Sequence, residues 1–132
     1  MTKRLLLVVL IVTAVVVGGA GSVSAKSKRS CTTVPTAGRN CVTITEAGSH
    51  SYRVRDEWKY GQPRNVGVPT PIKRSVWEAN VVCSTRTGGI DVLRFYDSGG
   101  AEVLLDAAQR ASMVAGLESS ALPKLVKGVC GA

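Results

Sequence analysis

Four cysteines, Cys31, Cys41, Cys83 and Cys130, constrain this 132-residue chain more than any other feature. All follow an N-terminal stretch that reads as an export signal. An even cysteine count in a short exported chain predicts a disulfide framework. In that stretch Lys3 and Arg4 form a positive n-region and residues 5–17 are apolar apart from Thr13. Gly18, Gly19, Ala20 and Gly21 loosen the chain ahead of Val23-Ser24-Ala25, a small-residue cleavage site. The alternative is an uncleaved anchor, because residues 5–23 would just reach across a bilayer. The short apolar core and the placement of the glycines favour cleavage before Lys26. Residues 1–25 are thus expected to be a signal peptide, and residues 26–132 a single small domain. Its address would be periplasmic, cell-surface or secreted, with membrane contact only through an uncleaved signal.

Four cysteines allow three pairings. The simplest makes Cys31–Cys41 a local loop around Pro35 and Gly38 and ties Cys83 to Cys130, but a crossed pairing stays open. A metal centre is not expected, since there is no C-x-x-C pair and His50 is the single histidine. No cofactor is expected either. The formal charge is +8, and loss of Lys3 and Arg4 with the signal brings the remaining domain near +6. Such a surplus favours anionic envelope or matrix material, or an acidic protein partner, though it can also serve solubility alone. Specific nucleic-acid binding is not expected.

Residues 26–30 are basic and small and read as a mobile arm. Residues 41–45 alternate and are rich in β-branched side chains, as in a strand that Gly48 and Ser49 end. Tyr52 and Val54 alternate with Arg53 and Arg55, which predicts a second strand with one apolar and one basic face. Gly61, Pro63, Gly67, Pro69 and Pro71 predict a long surface loop over residues 61–71. Trp77, Ala79, Val81 and Cys83 fall on one strand face. Turns are expected at Gly88-Gly89 and at Asp97-Ser98-Gly99-Gly100, with strands over residues 90–96 and 101–105. Asp106 could cap a short helix that Gly116 ends. A second helix, capped by Ser119 or Ser120 with Pro123 in its first turn, would bury Leu122, Leu125, Val126 and Val129.

Chemistry-bearing constellations are sparse. His50 stands in a polar loop with no aspartate close in sequence, and the adjacent Asp56 and Glu57 diverge on any regular element. No enzymatic role is therefore expected. The most suggestive cluster is Arg53, Arg55, Trp58, Lys59, Tyr60 and Arg64, where cations interleave with rings that could stack on a polyanion's sugars or bases. The competing arrangement has Arg53 and Arg55 solvated or paired with Asp56 and Glu57, while Trp58 and Tyr60 pack inward.

Trp77 and Cys83, then Val92-Leu93-Arg94-Phe95-Tyr96-Asp97-Ser98-Gly99-Gly100, then residues 122–130 ending Val129-Cys130, resemble the surface-adhesin protein E family. The likeness spans residues 75–130, about half of the exported part. It implies an antiparallel sheet packed by a C-terminal helix, a Cys83–Cys130 bond, and a bacterial outer-surface role in binding host matrix and plasma proteins. The expectation is an α+β domain: a small antiparallel meander packed by a C-terminal helix and braced by disulfides. Its expected task is non-enzymatic, adhesin-like binding at the cell envelope. The runner-up is a secreted hydrolase inhibitor that inserts the basic segment 61–74 into an acidic active site.

Overall fold

A computed structural model describes residues 26–131; the expected signal peptide lies outside the described residues. Six strands form one sheet in the order in which they occur along the chain: β1 (Ser27–Val34), β2 (Gly38–Gly48), β3 (Ser51–Arg64), β4 (Ile72–Val82), β5 (Thr87–Tyr96) and β6 (Glu102–Val103). Every neighbouring pair is antiparallel. Among the described residues a single helix, α1 (Ala107–Cys130), packs on one face. The predicted meander-and-helix architecture is thus the observed one, and the meander also takes in the N-terminal strands.

Strand alternation sorts the residues into two faces. On β4 the side chains of Trp77, Ala79 and Val81 are buried, and they meet Val54 of β3, Leu93 and Phe95 of β5, and Leu122 and Val126 of α1. Leu125, Val129 and Cys130 pack at the margin of this core. Cys83, just beyond β4, bonds Cys130, the last residue of α1. The Cys31–Cys41 bridge joins directly opposed residues of β1 and β2, whose Cα atoms are 4.1 Å apart. Two bridges of this kind suit an oxidising compartment.

Several local expectations are corrected. Residues 27–30 are not a mobile arm but the start of β1, because their backbone groups pair with β2 even though every β1 side chain is exposed. Strand β3 runs to Arg64, so the connecting loop covers only residues 65–71. That loop is anchored by buried Val68 and by Gln109, whose Nε2 donates to the Gly67 carbonyl at 2.6 Å.

The Gly88-Gly89 pair lies inside β5 rather than in the turn, which falls just before Thr87 and includes Arg86 at φ 53°. Glycine suits position 88 because a Cβ there would stand 2.7 Å from the Asn80 carbonyl oxygen and 3.2 Å from Leu122 Cδ1. The sequence signal was for close approach and not for chain reversal. The Asp97 turn is as expected. Its Oδ1 accepts from the amides of Gly99 and Ala101, both at 2.9 Å, and Gly100 takes φ 84°.

Two short helices were expected where one is found. Asp106 does cap it, accepting from the Gln109 amide at 2.7 Å. The helix nevertheless continues through Gly116 and Pro123. Proline removes the N–H that would reach the Ser119 carbonyl, a group on an exposed residue that water can serve. Burial of Leu122 and Val126 and the bridge at Cys130 hold the helix on both sides of that defect.

Candidate functional site

The helix packs on one face of the sheet, chiefly over β5, and leaves the other face open. The six residues singled out from sequence are divided between these faces by the alternation of β3. Arg53, Arg55 and Lys59 point to the open side. Trp58 and Tyr60 point to the helix side, where Arg64 lies with its Cζ 5.3 Å from the Tyr60 ring centroid. A single ring-and-cation surface is therefore not assembled from them.

On the open face, cross-strand register sets the neighbours. Arg39, Lys59 and Arg74 follow one another across β2, β3 and β4, and Tyr96 of β5 comes next. Arg74 lies 3.9 Å over the Tyr96 ring and donates to Glu57 Oε2 at 2.8 Å, while Arg55 stands 3.6 Å from the same carboxylate oxygen. Further along, Arg53 grips Asp91 with two parallel hydrogen bonds of 2.7 Å and reaches Glu78 at 3.3 Å. That fork holds the Asp91 carboxyl below its ordinary range, with the hydrogen bond from Arg53 as the main cause, and raises the Arg53 guanidinium in turn. Asp56 and Glu57 do not pair with Arg53. Its anionic partners come from β4 and β5, which no local reading could supply. Arg29, Arg39 and Lys59 stay exposed, and so does Arg94, 3.9 Å from Glu102. Cations exceed carboxylates on this face.

On the helix face, a cleft of about 570 Å³ opens between β3–β5 and α1. Its floor includes Asp56, Trp58, Tyr60, Ser75, Trp77, Leu93 and Phe95, and its helix wall Met113, Gly116 and Leu117. Trp58 and Tyr60 stack with centroids 6.0 Å apart and planes 10° from parallel. Tyr60 Oη and Ser75 Oγ are hydrogen-bonded at 2.9 Å. A Cβ at Gly116 would meet nothing within 4 Å, so the helix wall is open there. Asp56 is half-buried and accepts from Asn40 Nδ2 at 2.8 Å. Burial pushes its carboxyl above the usual carboxylate range, and the Asn40 hydrogen bond only partly opposes this.

Sequence reasoning passed over this cleft, although one signal for it was present. Tyr52, Val54, Asp56, Trp58 and Tyr60 share a strand face, and an acid in the middle of an apolar and aromatic face is the mark of a site or of a cost.

A stability prediction follows from that cost. Asp56→Asn keeps an oxygen for Asn40 and removes the charge. Because the folded-state pKa is raised, the native state disfavours the ionised form. The wild type should suffer no such penalty below the ordinary value of 3.8 and should lose stability relative to the variant as pH climbs through the raised value. The variant should thus be the more stable protein at pH 7 and equal to wild type at pH 3, as read by urea unfolding at the two pH values. An Asp56→Asn protein less stable at pH 7 would show that the carboxylate has a stabilising partner.

His50 occupies the β2–β3 turn at φ 58°, exposed, with its carbonyl accepting the Cys83 amide at 2.8 Å. Among the described residues no group of three or more His, Cys, Asp or Glu is placed to hold a metal ion. No family model, curated protein or solved structure matches the chain.

Proposed function

We propose that this chain is an exported, non-enzymatic binding protein of the cell envelope or cell surface, adhesin-like in kind. It holds anionic envelope or matrix material on the open basic face of its sheet. The observation that carries this reading is the cross-strand run of Arg39, Lys59 and Arg74, flanked by Arg55 and Arg94 and left uncovered by the helix. A sheet spaces such cations about 5 Å apart across strands, which lets several engage one extended polyanion. The meander, the helix and the Cys83–Cys130 bridge are those that the protein E resemblance implies, and they support the reading as far as a fold can speak for a function.

The inhibitor alternative draws less support. Its basic segment was expected to project, yet Val68 is buried and Lys73 Nζ is bound to the Gly61 carbonyl at 2.7 Å. Retention of the protein on cell-wall preparations should fall steeply as the screening length contracts from about 30 Å at 0.01 M salt to about 8 Å at 0.15 M. Salt-insensitive retention, or a tight equimolar complex with a hydrolase, would overturn the proposal.

A further inference from the structure

The cleft beneath the helix has chemistry opposite to that of the open face. An apolar cavity of this size suits a small ligand, and its aromatic lining alone would take a neutral one. Asp56 changes that. A half-buried carboxylate is costly unless a positive charge offsets it, and among the described residues no Lys, Arg or His forms an ion pair with it. Among the described residues it receives a side-chain hydrogen bond from Asn40 alone. A hard metal ion is poorly served by a single carboxylate among rings, because such ions collect several oxygens. An ammonium carrying carbon substituents is well served: the carboxylate meets its charge while aromatic faces attract it and its methylenes fill the apolar space. One ring of the cleft already draws a cation, the guanidinium of Arg64 over Tyr60.

We propose that the cleft binds an organic ammonium ion, with Asp56 as counter-charge and Trp58, Tyr60, Trp77 and Phe95 as its aromatic surround. This site is independent of the polyanion surface, since the two lie on opposite sides of the sheet.

The test uses choline as the cationic probe and 3,3-dimethylbutan-1-ol as its uncharged isostere, with tryptophan fluorescence as the readout, because Trp58 and Trp77 both line the cleft. Choline should bind about tenfold or more tighter than the isostere. Asp56→Asn should abolish that preference while leaving the far-ultraviolet circular dichroism unchanged. Trp58→Leu should weaken choline, and it decides the matter if the Asp56 variant does not fold. The domain is positive overall, so added salt should leave choline binding unchanged or tighten it, opposite to the polyanion surface. Equal affinity for probe and isostere would reduce the cleft to a generic apolar cavity. Absence of binding by both, or choline affinity indifferent to Asp56→Asn, would likewise overturn the proposal.

Discussion

Replacing Cys83 and Cys130 together by alanine is expected to lower the stability of the oxidised protein by about 4 kcal/mol, from loop-closure entropy alone. The bridge closes a loop with a sequence separation of 47 and fastens the last turn of α1 to the end of β4. Small domains are stable by only about 5–15 kcal/mol, so the variant should be partly unfolded or markedly sensitive to protease. The same change at Cys31 and Cys41 should act differently. That loop has a sequence separation of 10, and the β1 it holds is exposed along its whole length. Its loss should speed amide exchange in β1 and its pairing with β2 while the core keeps its protection. Similar global destabilisation by both pairs would mean that β1 is more deeply coupled to the core than its exposure indicates.

The second large effect is expected at Leu122. It is 5% exposed, belongs to the core cluster and packs where Gly88 leaves room on β5. Leu122→Ala should cost about 2–5 kcal/mol in urea unfolding without a change in slope. Leu125→Ala should cost less, because that side chain is only partly buried against the same cluster. A loss at Leu122 below about half a kcal/mol, against the range for buried leucines, would show that the helix rests loosely on the sheet.

The architecture was legible because its signals are local. The period of two in Trp77, Ala79 and Val81 named the buried face of β4, and the stripe of Leu122 and Val126 named the buried side of the helix. What failed were signals with two physical meanings. Gly88-Gly89 reads as a turn or as a close approach, and only the helix above it decides. Gly116 and Pro123 read as helix ends, yet packing on both sides carries the helix through them. Residues 27–30 lack any apolar period because β1 buries no side chain and is held by backbone pairing and a bridge.

The candidate site was legible in its residue types and not in its geometry. Arg53, Arg55 and Lys59 were seen beside Trp58 and Tyr60, but strand alternation sends them to opposite faces. Their neighbours Arg39, Arg74 and Arg94 come from other strands and enter only through register. In the sequence Asp56 reads as half of an adjacent acidic pair with Glu57. Its environment is instead set by the rings of Trp58 and Tyr60, two and four residues on, and by Asn40 across the sheet.

The most direct test of the polyanion surface compares two charge-matched variants on a heparin column. Arg39 and Lys59 are exposed register neighbours on the open face, and Lys124 and Lys127 are exposed on the helix. Each pair, reversed to glutamate, changes the net charge equally. The account predicts that Arg39→Glu with Lys59→Glu elutes at clearly lower salt than both wild type and Lys124→Glu with Lys127→Glu. Equal elution of the two variants would contradict it, because net charge and not the open face would then govern binding.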